Sequence, residues 1–401
     1  MNFKSLLRNE QLLTIFHNVL TDESTKNKTS DISKNGETYW YNQYSLLIIM
    51  DIVIKYQIII NDKEYDNYFL EGLEDIAYNF LSHKELILNG NKLLTNLVSK
   101  KLNLEITSNE NKKIILKYIY EKYIVHGYCF HSFPSVFKKE VEENGLTKEI
   151  DIKELNDLKK IKYIFANHNY ENIISKDLKA RSKAIYITDS PAMAYYYAFR
   201  SPEYLAELTS LSNYYKNVKD YDYNAFYEKN YKKCRENLIK ICDHINMTTK
   251  EKNTVLKTFD KRWNKLDMSN SIPCIAFINR SDLAKDSLPN IEEIINSVDK
   301  IDINILVAKI TDSRYKIIRR YSDINSLDLK VITMPSYREI KNKGFILKTK
   351  EKLTKEVEQI EELPNYKFAY STGSANVVAL LGLLLITLGL TLSIIIKVIG
   401  G

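Results

Sequence analysis

A histidine, two tyrosines and a pair of carboxylates in the second half of the chain are of types that suit one kind of chemistry. His131 lies in FHSFPSVFKKEVEENGL, Tyr186 and Tyr197 in AIYITDSPAMAYYYA, and Glu292 and Glu293 in NIEEIINSVDKIDI. Cleaving a base from a sugar builds positive charge on the ring, as in glycoside hydrolysis, and a carboxylate facing that charge stabilises the transition state. Aromatic faces hold the departing heterocycle by stacking. A neutral histidine on a rigid strand supplies a fixed hydrogen-bond donor to a ribose and adds no charge beside the cation.

These residues need a frame that holds them. From about Ile114 onward the segments YIVHGYCFHSF, KAIYITD, IPCIAFINR, EEIINSV and INILVAKI read as strands between polar and helical stretches, which predicts an α+β domain. After His131 a helix is expected to end at Gly145, where glycine takes a left-handed conformation without steric penalty, followed by Leu146. Asp189 or Ser190 is a natural N-cap for the helix after Tyr186, with Pro191 at its first position. Glu292 or Glu293 is expected to open a late strand. Side chains alternate along a strand, so only one of the two would face a pocket, and Glu293 is preferred because Ile295 shares its face.

The order histidine strand, tyrosine strand with a following helix, and late glutamate resembles the ADP-ribosyltransferases, in particular their poly(ADP-ribose) polymerase-like branch, over about residues 120–312. That family's Asn/Gln-Gly-Leu helix end is matched by Asn144, Gly145 and Leu146, and its Gly-Ile-Tyr strand by Ala184, Ile185 and Tyr186. The resemblance implies a split β-sheet domain that uses NAD as substrate and passes ADP-ribose to a protein or other acceptor. It implies that His131, or alternatively His126 in VHGY, holds the adenosine ribose. Tyr186 and Tyr197 would sandwich the nicotinamide, Thr188 would join the nucleotide-binding set, and Glu293, or alternatively Glu292, would be catalytic. Two positions depart from the pattern: Ala194 stands where many members carry a serine, and Ala184 where many carry glycine. A catalytically inactive NAD- or nucleotide-binding sensor or scaffold with the same fold, or a membrane-anchored interaction protein, are the alternatives.

The rest of the chain sets the context. Apolar residues at three and four spacings from Leu6 to Leu20, and the stretches after Tyr41, near 71–81 and near 93–102, predict a helical domain over residues 1–118. The run Tyr44–Ile60 is interrupted by Asp51, Lys55 and Gln57, so it reads as a buried helix and not a membrane span. An ADP-ribosyltransferase-like domain follows over 119–335, with a charged, Tyr-rich helical insertion over about 203–265. Residues 336–376 read as a juxtamembrane linker and 377–397 as a transmembrane helix. Val377 to Ile396 are uncharged, and twenty residues make about 30 Å of helix, enough to cross a hydrocarbon core. A single-pass C-terminal anchor in membrane lipid, with the body on the cytoplasmic side, is the resulting expectation; the first thirty residues show no export signal.

The net charge of +7 comes from 58 basic and 51 acidic residues without a block of like charge, so nucleic-acid binding is not expected. The four cysteines form no CxxC pair and have no histidine at zinc-ligand spacing, which points away from a metal site or a disulfide framework.

Overall fold

A computed structural model of the chain describes residues 6–22, 38–147, 152–168, 184–200, 229–280, 289–311, 317–320 and 322–343, with a few isolated positions between 218 and 225. It is an α+β fold, mostly helical, with a small antiparallel sheet.

The N-terminal helices are α1 (Glu10–Thr21), α2 (Thr38–Ile59), α3 (Asp66–Asn79), α4 (His83–Leu102) and α5 (Asn109–Tyr120). Each start whose cap is described has a local reason or a packing one. Asn9 accepts from Leu12 N–H to cap α1, Ser82 and Glu85 form a reciprocal capping box at α4, and Ser108 caps α5. These groups satisfy amides that the first turn leaves without intrahelical partners. α2 is apolar nearly all round: residues 46–50 and 52–54 are buried, with α1, α3, α4 and α8 packed on it. The charges that break its apolar run pair internally, Lys55 Nζ lying 2.5 Å from Asp51 Oδ2. No helix among the described residues is long and apolar enough to cross a membrane. Residues 377–396, expected to do so, lie outside the described residues.

A π-helical turn, Glu121–Val125, ends α5 and leads into the sheet. Its strands are β1 (Tyr128–Pro134), β2 (Ile185–Thr188), β3 (Pro273–Asn279), β4 (Ile317–Arg320) and β5 (Leu329–Thr333), in the order β4-β2-β1-β3-β5 with every neighbour antiparallel. β1 is central, pairing Phe130 with Thr188 on one side and Tyr128 to Pro134 with Asn279 to Pro273 on the other. The period-two alternation sorts its side chains into two cores. Phe130, with Ile275, Phe277 and Ile332 of the neighbouring strands, joins the bundle core, and Cys129 and Phe133 join a second cluster with Ile185, Ile187, Cys274, Ala276, Ile278 and Val331.

Between the strands run α6 (Lys138–Asn144), α7 (Ile152–Asn167), α8 (Pro191–Arg200), α9 (Tyr231–His244) and α10 (Thr249–Lys265), and later α11 (Ile291–Ile295) and α12 (Ile303–Thr311). α8 lies between the sheet and α2, burying Ala194, Tyr195 and Ala198 in the bundle core. α7, α9 and α10 have a core of their own, built from Ile161, Phe165, Leu238, Ile241, Val255, Leu256, Phe259 and Trp263.

Two expectations need correcting. The segments EEIINSV and INILVAKI are α11 and α12, not strands. In the second, Ile303, Leu306, Val307 and Ile310 recur at three and four spacings and are buried together against α4 and α5, so helical periodicity outweighs the β-branched composition. With those two segments helical, the expected split pair of sheets is replaced, among the described residues, by one continuous sheet. Across the position near residue 118, bundle and sheet share a core, and one compact unit runs from Met1 to Ile346. Within it a last helix, α13 (337–343), pairs its Glu339 with Arg8 just before α1 and is tied to α1 itself by His17 Nδ1 donating to the Ile340 carbonyl at 3.0 Å.

Candidate functional site

β1 positions His131 beside the middle of the sheet. Its Nδ1 lies 2.7 Å from the main-chain carbonyl of Tyr186 on β2. A carbonyl can only accept, so Nδ1 carries the proton. Burial holds the imidazole pKa below its ordinary value, opposed by that hydrogen bond. The ring is therefore neutral at physiological pH and Nε2 keeps a lone pair. The fixed donor expected from the sequence is already used inside the sheet, and what the ring offers a ligand is an acceptor, suited to a ribose hydroxyl. The Phe133 ring is 6.3 Å away and nearly parallel, two residues along the same face.

Tyr186 is joined to His131 through its backbone, not its side chain. Its neighbours Ile185 and Ile187 enter the cluster that holds Cys129 and Phe133, so alternation turns the Tyr186 side chain to the other face. Tyr197, near the end of α8, is 45% exposed and meets Tyr196 edge-on at 5.5 Å. The more deeply packed tyrosine of that helix is Tyr195, whose hydroxyl donates to the Pro335 carbonyl at 2.9 Å. Thr188 is buried, and its Oγ1 accepts from Ser190 N–H at 3.1 Å. The hydroxyl shapes the turn from β2 into α8. Ser190 then accepts from Met193 N–H, with Pro191 opening the helix. Of the two N-caps expected, Ser190 is the one used.

His126, the alternative histidine, precedes β1. It is exposed at the end of the π-helical turn, with Nε2 3.6 Å from Glu121 Oε1.

The glutamates stand apart from the sheet. Glu292 and Glu293 are exposed in the first turn of α11, where Asn290 accepts from both of their amides. A carboxylate in that position complements the positive end of a helix. α11 packs on α5 and α12 and buries Ile294 in the bundle core. A carboxylate at the opening of a strand, facing the His131 side of the sheet, is therefore not formed by these residues.

Two buried charges near β1 were not singled out in the sequence. Arg280 extends the ladder one residue past β3, its N–H donating to the Gly127 carbonyl at 3.0 Å. The side chain is only 8% exposed. Its Nη2 lies 3.4 Å from the Tyr128 carbonyl, and its Nε has no hydrogen-bond partner. Along a strand, carbonyls point alternately to the two neighbours; Gly127 points to β3, so Tyr128 points to the β2 side. The guanidinium thus reaches across β1 toward the place where β2 turns into α8. Asp189, buried at that turn, and Arg280 both act on the Cys129 thiol, whose pKa burial pushes up to about 11. One arginine ending a strand has no sequence signature; the clue would have been its place after the apolar run PCIAFIN.

The second is Lys229, buried, with its ammonium donating to the Ser271 carbonyl. Removal from water, and next the charge of Arg338, bring its pKa down to about 8. All four cysteines are free and buried, and no group of His, Cys, Asp and Glu side chains suited to hold a metal occurs among the described residues.

The resulting arrangement can accept a hydrogen bond at His131 Nε2 on the central strand and supply positive charge at Arg280, just past the end of β3 and four positions along the ladder from His131. Known proteins add nothing to this geometry: no protein family, curated protein or solved structure matches the chain.

Proposed function

We propose that the chain is a membrane-anchored protein that binds NAD or a related nucleotide beside β1, without using Glu292 or Glu293 as a transferase carboxylate. The observation that carries this reading is the neutral imidazole of His131, fixed by its bond to the Tyr186 carbonyl so that Nε2 can accept from a ribose hydroxyl. Arg280, close-packed with an unpartnered Nε at the end of β3, gives a charge for a diphosphate that lies along β1 from His131. Arginine suits that role through its planar array of donors. The anchor rests on the uncharged run from Val377 to Ile396.

A second reading, the NAD-dependent ADP-ribosyltransferase, is favoured by the local architecture. The β1 histidine, the helix ending at Gly145 and Leu146, and the β2-to-α8 turn follow one another as the resemblance implies. Calorimetric titration of the purified protein with NAD, beside His131→Ala, together with chromatography for released nicotinamide, separates the two. Saturable binding that His131→Ala abolishes, without turnover, supports the nucleotide-binding reading. Nicotinamide release that depends on Glu292 or Glu293 would establish the transferase, and absence of NAD binding would overturn both.

A further inference from the structure

The chain's small positive excess is not evenly placed. α10 carries six basic and two acidic residues in seventeen positions, so four of the chain's seven net positive charges lie in one helix. Its acids are engaged at the helix flanks. Glu251 closes the capping box with Thr248 and meets His168, and Asp260 takes hydrogen bonds from Tyr231 and Arg235. Lys250, Lys257, Lys261 and Lys265 are all exposed.

Their spacing puts them on one side. At 3.6 residues per turn these four lysines fall within an arc of about 80° and span about 22 Å. The opposite side of the helix is the buried one, formed by Val255, Leu256, Phe259 and Trp263. Lys261 also reaches Asp157 of α7 at 2.7 Å, and α7 adds the exposed Lys160 and Tyr163, the latter 71% exposed. With its apolar side packed inside the protein, the helix turns a lysine-lined side outward, a charge pattern complementary to an extended anionic surface.

We propose that the outer face of α10 is a docking surface for an anionic lipid bilayer. Charge complementarity and geometry favour the bilayer: the lysines form a straight row along one helix, matching a plane of phosphate headgroups. The uncharged run at 377–396 adds a second argument that rests on the anchor reading above. A tether of some thirty residues would hold the body at high effective concentration beside the membrane, where modest electrostatic attraction suffices. Bilayer contact would turn the α7–α10 side of the body toward the headgroups.

The test uses the full chain reconstituted into vesicles of phosphatidylcholine alone or of phosphatidylcholine with phosphatidylserine. Amine-reactive labelling followed by mass spectrometry reads each lysine. Lys250, Lys257 and Lys265 should label about fivefold more slowly in the anionic vesicles, and high salt should remove the difference because the attraction is screened. Lys84, Lys92 and Lys117, exposed elsewhere on the bundle, should label equally in both. The triple variant Lys250→Gln, Lys257→Gln, Lys265→Gln should lose the response at Lys261 while its melting transition is unchanged. Equal labelling in the two vesicle types overturns the proposal, as does protection by single-stranded nucleic acid but not by anionic vesicles. Alkaline extraction separates this from the anchor. If the chain washes off the vesicles the anchor reading fails, and labelling of protein added to preformed anionic vesicles still decides the role of α10.

Discussion

The Nδ1 of His131 lies 2.7 Å from the main-chain carbonyl of Tyr186, joining β1 to β2 through a side chain where only one residue pair, Phe130 with Thr188, links the two strands in register. The bond fixes the tautomer, so that Nε2 is the ring's acceptor. It also makes the histidine structural as well as a binding candidate. His131→Ala should lower unfolding stability by about 1–3 kcal/mol, the cost of leaving a partly buried carbonyl without its donor, and should abolish NAD binding.

The pH dependence of that bond has a definite sign. Burial holds the folded-state pKa of His131 below its ordinary value, so below about pH 6.5 the unfolded chain takes up a proton that the folded chain refuses. The stability associated with the neutral ring is complete above that pH and is lost as pH falls toward the folded-state pKa. Urea unfolding between about pH 7 and pH 5 should show a steeper loss for the wild type than for His131→Gln. Parallel curves would remove His131 from the account of acid sensitivity.

Gly145 is the clearest backbone constraint. It caps α6 with φ of 81°, and an added Cβ would run into the Ile324 carbonyl. That carbonyl accepts from Leu146 N–H at 2.9 Å, and Ile324 N–H returns the bond at the same distance. Gly145→Ala should therefore cost about 1–3 kcal/mol for a backbone conformation, φ 81° and ψ −162°, that only glycine adopts readily, with more from the disrupted bridge. Hydrogen exchange should show faster exchange at Leu146 and Ile324 in the variant, while the amides of α4 stay protected.

The parts of this arrangement that can be read from sequence are those whose signals are local. Short apolar and β-branched runs mark β1, β2 and β3, Ser190 and Pro191 mark the start of α8, and the helix-ending role of Gly145 follows from its lack of a side chain. α11 and α12 mislead because isoleucine and valine favour strands in general, while Asn290 and Asp302 sit ahead of them as caps: Asp302 Oδ1 accepts from Asn304 N–H at 2.8 Å. Tertiary burial against α5 then decides for the helix. The opposite directions of the His131 and Tyr186 side chains depend on the β1–β2 register, which sequence spacing across a 55-residue separation does not encode. Arg280 is placed by the β1–β3 pairing, and its own segment offers only its position after the apolar run of β3.

Lys229 gives a test at alkaline pH. Its folded-state pKa of about 8 lies below the ordinary 10.5 because burial disfavours the ammonium. Between those values the unfolded chain holds a proton that the folded chain has released, so stability rises with pH across that window. The rise amounts to about 3 kcal/mol if the full shift is expressed. Denaturant unfolding from pH 7.5 to pH 10, about the limits of that window, should show a gain in the wild type that Lys229→Met lacks. A variant that follows the wild-type curve would mean the lysine is charged and satisfied throughout.

Glu292 and Glu293 and Arg280 separate the two functional readings most directly. The glutamates are exposed on α11 and interact with its N-terminal end, whereas Arg280 is buried with an unpartnered Nε beside β1. If the nucleotide lies beside β1, replacing both glutamates by alanine should leave the NAD dissociation constant within about twofold, since loss of an exposed charge far from a ligand costs little. Arg280→Met should weaken binding by about tenfold or more, the loss expected for a charge-assisted hydrogen bond, and Arg280→Lys should recover only part of it because a point charge replaces a planar donor array. Calorimetry on the three proteins reads all of these together. Should the double glutamate variant instead lose nicotinamide release that the wild type shows, the late glutamate acts in catalysis, and α11 would have to approach the sheet in the nucleotide-bound chain.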